Sequence, residues 1–190
     1  MNTKKNQRYL ETEERLQTVF ISLLQTKELE RITVRELCDM AGIHRSSFYL
    51  HCVDVYDLME KIEKNLSVQC GELFTTPEQN YSLGERFVRL FYFVRDHQDF
   101  YRYYLMRNHT ITVLDGAIAG NAVSSLHEFA KKFGLKNETE LAYHQEFFKA
   151  GLTALLREWL RRGCVESPED IAKILNDEYS QKQSLFNSAP

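Results

Sequence analysis

Between Thr33 and His51 the chain has room for only two short helices, with a glycine between them. Thr33-Val34-Arg35-Glu36 has the T-x-x-E form of a capping box. The hydroxyl can accept the Glu36 amide hydrogen, and the Glu36 carboxylate can reach back to the start of the helix. Val34, Leu37, Cys38 and Ala41 then form a narrow apolar stripe. Gly42 follows where the turn calls for a positive φ. A second short helix is expected from near His44 to about His51, with Phe48 facing inward.

Two short helices joined this way have a geometric use. The first can brace across a phosphate backbone while the second lies in a major groove with its N-terminal residues toward base edges. The outward residues of the second helix are His44, Arg45, Ser46, Ser47, Tyr49 and His51, and each can hydrogen-bond. Arg45 is the best donor for guanine N7 and O6. No Asp or Glu lies between Gly42 and Val53, so no carboxylate there repels phosphate.

Helical periodicity continues on both sides. Leu16, Val19, Phe20, Leu23 and Leu24 mark a first helix over 11–26, preceded by a loose basic arm with Lys4, Lys5 and Arg8. Asp54 is placed to cap a helix carrying Val55, Leu58, Met59, Ile62 and Leu66, reaching about Phe74. The polar stretch Thr75–Ser82, with Pro77, reads as a linker loop. Further helices are expected over 83–97, 99–107, 112–133 and 138–162. A last one follows Ser167-Pro168-Glu169-Asp170, which pairs a cap with Pro at the first helical position. The chain should fray after about Tyr179. With three prolines in 190 residues, the expected fold is all-α. It comprises an N-terminal three-helix helix-turn-helix DNA-binding domain over 1–54 and a C-terminal helical bundle over 55–180, to which the family resemblance of residues 33–51 assigns ligand binding and dimerisation. Residues 181–190 are expected to form a disordered tail.

Charge divides along the same line. Residues 1–52 carry eight Lys/Arg against seven Asp/Glu, and the rest carries sixteen against twenty, within a net charge of −3. The sign suits an N-terminal end that meets nucleic acid. No apolar run is long enough to span a bilayer, and the N-terminal segment has no apolar signal core, so a cytoplasmic protein is expected. Cys38, Cys52, Cys70 and Cys164 form no C-x-x-C pair and read as buried free thiols. No H-x-x-x-H, P-loop, G-x-S-x-G or H-E-x-x-H pattern occurs, so no metal, no cofactor and no enzymatic activity are expected.

Residues 33–51, TVRELCDMAGIHRSSFYLH, resemble the DNA-binding domain of the TetR family of transcription regulators. The Thr opening, the Ala-Gly turn, the Ser pair and the Tyr-x-His close occur in order, and flanking helices extend the likeness over 9–66. The resemblance implies that Thr33, Ser47, Tyr49 and His51 hold the DNA backbone, while Arg45, Ser46 and His44 read bases. This chain departs from the family pattern at three places. His44 replaces a capping Ser or Thr, Cys52 replaces a Phe, and Val55 replaces a Lys. Losing that ammonium implies a shallower salt dependence and weaker or more partner-dependent binding.

Phe148 to Leu175, with its E-W-L-x-x-G-x-x-x-S-P-E core, resembles the closing helices of a TetR subgroup related to dihydroxyacetone-kinase operon regulators. Some of that subgroup work with a protein co-regulator. Gly151 within a helix costs about 1 kcal/mol relative to Ala, which a close helix approach would explain, within the protomer or across a dimer. Gly151, Leu155, Trp159 and Ile174 are the candidate dimer residues. Phe87, Phe91, Tyr104, His127 and Phe147 either line a pocket for a small-molecule effector or pack as core. The expected function is that of a repressor binding double-stranded DNA as a homodimer on a palindromic operator. The alternative is a partner-dependent regulator whose C-terminal bundle docks another protein.

Overall fold

The computed structural model describes residues 3–75, 81–107 and 137–186, and every regular element among them is helical. In chain order these are α1 (Thr3–Leu24), a single 3-10 turn (Leu29–Arg31), α2 (Val34–Ala41), α3 (Arg45–Phe48) and α4 (Val55–Thr75). Then come α5 (Leu83–Asp96), α6 (Gln98–Arg107), α7 (Glu138–Arg161) and α8 (Pro168–Phe186). The helix expected over 112–133 lies outside the described residues. Among the described residues, no helix is long and apolar enough to cross a membrane.

Two compact units emerge, Met1–Asn65 and Leu66–Pro190. Their boundary falls inside α4, not at residue 54 or in the loop after Thr75. The reason is burial. Val55, Leu58, Met59 and Ile62 on the first half of α4 are core residues. That half is also tied to the preceding loop, because the Val53 amide donates to Asp57 at 2.8 Å.

The N-terminal unit is built from the residues that the periodicity marks. Leu16, Phe20, Leu23 and Leu24 of α1 are buried, as are Leu37, Cys38 and Ala41 of α2 and Phe48 of α3. Each such aliphatic or aromatic side chain contributes roughly 1.5–3 kcal/mol by leaving water. α1 begins at Thr3, so Lys4, Lys5 and Arg8 belong to a helix and not to a loose arm. No Gly or Pro interrupts that stretch, and Gln7 donates to Glu11 at 3.0 Å one turn on.

The local signals at 33–54 hold with two changes. The Thr33 hydroxyl accepts the Glu36 amide at 3.2 Å. The Glu36 carboxylate does not close the capping box; it pairs with Lys27. α3 is shorter than expected. His44 stands at its N-cap without a side-chain bond, and after Phe48 the chain tightens into a turn, with Leu50 N–H donating to Ser47 O at 3.1 Å. The Asp54 carboxylate caps α4, accepting the amides of Tyr56 and Asp57 at 2.9 and 2.8 Å.

In the C-terminal unit, α5 packs on α8 and α6 on α7. Ser82 and Glu85 form a complete capping box on α5, Asn137 caps α7, and Ser167 caps α8. α7 stops at Gly163, φ 81°, as the cationic last turn and glycine predict. α8 continues to Phe186, past the fraying point expected at Tyr179, since neither Gly nor Pro interrupts 169–186. Cys38, Cys52 and Cys70 are buried free thiols, whereas Cys164 is half-buried.

One contact spans the N-terminal unit. Gly42 adopts φ 63°, and the Arg15 guanidinium of α1 donates to the carbonyls of both Ala41 and Gly42, the latter at 3.2 Å. A Cβ on Gly42 would stand 3.2 Å from that same guanidinium nitrogen. Gly42→Ala is therefore expected to lower stability by about 1–2 kcal/mol, from left-handed backbone strain together with crowding of Arg15. Urea unfolding of the full chain, followed by circular dichroism, measures it; an unchanged midpoint would rule out the strained turn.

Candidate nucleic-acid interface

α3 projects from the N-terminal unit by its exposed face. Phe48 is fully buried beneath it, while His44, Arg45, Ser46 and Tyr49 are exposed and Ser47 is half-buried. Tyr49 meets the Phe48 ring edge-on, with centroids 5.4 Å apart, which fixes the ring on the outer side. Thr33 is exposed at the start of α2, its oxygen engaged by the Glu36 amide and its own hydrogen available to donate. The structure therefore brings Arg45, Ser46 and Tyr49 to one surface, with His44 leading into it. The missing cap on α3 follows from His44, as the departure from the family pattern implies.

His51 lies apart from this surface. It is only 8% exposed, and its ring stacks on Tyr9 of α1 at 3.9 Å. Its Nδ1 is buried without a hydrogen-bond partner. Burial is the main cause holding its pKa below the ordinary histidine value; Glu13 opposes that shift and Lys61 adds to it. His51 is therefore a brace between α1 and the turn after α3, not an exposed member of the outward set.

Two residues absent from the expected site shape it. Arg15 holds the turn from α1, at a sequence separation that no local pattern announces. Lys61 of α4 donates to the His51 carbonyl and pairs with Asp57 at 3.0 Å. The i, i+4 spacing of Asp57 and Lys61 was the available signal. Asp57 is held below the usual carboxylate range first by the Val53 amide and then by Lys61. Val55 is buried, and the cation near this turn stands six residues later, at Lys61.

The C-terminal candidates separate. Phe87 packs on Phe148 at 5.7 Å, Phe91 meets Trp159 edge-on at 5.5 Å, and Tyr104 stacks on Phe100 at 5.4 Å. All three candidate rings are core, whereas Phe147 is 62% exposed and His127 lies outside the described residues. Trp159 is 1% exposed within its own protomer, and its indole N–H donates to the Glu166 carbonyl at 3.0 Å. It is a core anchor, which corrects its assignment to a dimer surface. Leu155 is half-buried, and Gly151 and Ile174 are exposed. Sequence reasoning did not single out Tyr101, which is buried with an unpartnered hydroxyl; burial holds its phenol above the usual range. Cys70 is also buried, its thiol pushed up to about 12.

The architecture is an N-terminal helix-turn-helix followed by a helical bundle. Residues 82–178 match the TetR-type family model described as a transcriptional regulator C-terminal region, and the chain belongs to the TetR family of transcription regulators. Solved structures share the fold. The dihydroxyacetone kinase operon activator DhaS matches with a TM-score of 0.60 at 18% identity, covering 92% of this chain and 97% of its own. The fatty acid degradation regulator FadR from Bacillus halodurans matches at 0.61 and 9% identity, covering 88% and 94%. A tetR-family transcriptional regulator from Streptomyces coelicolor matches at 0.63 and 16% identity, covering 92% and 81%. No curated protein sequence matches the chain.

Two outcomes follow from the buried polar groups. Because the folded pKa of His51 is depressed, its contribution to stability is fully present above about pH 6.5. That contribution is lost as pH falls from there through the lowered folded value. The thermal midpoint should therefore drop between pH 7.5 and 5.5 by less in His51→Phe, which keeps the stack on Tyr9, than in the parent; equal drops would refute it. Tyr101→Phe should raise stability by about 1 kcal/mol by removing an unsatisfied buried hydroxyl. A lowered urea midpoint would mean that the hydroxyl has a partner.

Proposed function

We propose that the N-terminal unit binds double-stranded DNA in sequence-specific fashion and that the protein represses transcription in the cytoplasm as a homodimer on a palindromic operator. The observation that carries this reading is the exposed face of α3, with Arg45, Ser46 and Tyr49 held outward on a turn fixed by Gly42 and Arg15. In this reading Arg45 and Ser46 meet base edges, with His44 beside them, and Thr33, Ser47 and Tyr49 hold phosphates. His51 acts through the turn after α3, which its stack on Tyr9 ties to α1.

Dimerisation through α7 and α8 is supported by what their outer faces carry. Gly151 has open space where a Cβ would be, so nothing among the described residues of its own protomer accounts for a glycine there. Ile174 is 49% exposed. A second copy packed against Gly151 would give the close helix approach that the glycine permits. The alternative, in which the bundle docks a different protein, draws on Tyr143 and Phe147, large exposed rings on the first half of α7. A small-molecule effector loses the support of Phe87, Phe91 and Tyr104, which are spent on packing.

Selecting duplexes from a random pool with the purified full chain tests this reading. Palindromic sequences should enrich, and light scattering should give twice the chain mass in solution. Arg45→Ala should weaken binding to the selected duplex by about 1–3 kcal/mol while leaving random duplex binding nearly unchanged. Equal loss on both duplexes would remove Arg45 as a base reader. Enrichment that appears only with cell extract would favour the partner-dependent reading.

A further inference from the structure

We draw no further inference here: the strongest candidate, the exposed apolar surface of Leu50 and Val53 between α3 and α4 and of Tyr56 at the start of α4, carries nothing because nothing among the described residues shows what covers it.

Discussion

The helix-turn-helix depends on a cation reaching across the unit to the end of a helix. The last carbonyls of α2 have no amide partners within their own helix. Arg15 of α1 supplies donors to those of Ala41 and Gly42. The same contact meets the partial negative charge at the helix end with a guanidinium. Gly42 turns the chain only in a left-handed conformation, and the arginine occupies the space beside it. The entry of α3 therefore rests on a charge-assisted bond from an element whose visible role is hydrophobic. Arg15 is next to Leu16, the first core residue of α1, so burial of Leu16 holds the arginine at the turn.

A second tier of contacts sets α3 from its other end. Tyr9 stacks on His51, and Lys61 binds the His51 carbonyl while pairing with Asp57. Asp57 in turn accepts the Val53 amide. α1 and α4 thus grip the turn after α3 from two directions. α3 has only four residues and no side-chain cap, so its own hydrogen bonds do little to hold it. Its orientation comes from neighbours, as expected for a helix too short to be stable alone.

Much of this was legible in the sequence because the signals are local. The Thr33 cap, the glycine at 42, the Asp54 cap and the apolar stripes of α1, α2 and α4 each involve residues within a turn or two of one another. What was not legible is long-range. Glu36 was expected to complete a capping box, but Lys27 competes for its carboxylate from outside the helix. His51 was grouped with outward residues because its type suits phosphate. Its burial depends on a ring in α1 forty-two positions away. Trp159 was named among the candidate dimer residues with Gly151. Its indole instead finds a carbonyl in the loop that follows its own helix. Arg15 went unnoticed because it is a common charged residue on an amphipathic helix.

α4 belongs to both compact units, and the boundary between them, at Asn65 and Leu66, lies within continuous helix. A fragment ending near residue 54, where the sequence motif stops, would discard Leu58, Met59 and Ile62 from the core and Lys61 from the turn. The segment that looks like a self-contained DNA-reading motif borrows its last wall from the helix that opens the next unit. Cutting such a chain between its apparent domains would mean breaking a helix.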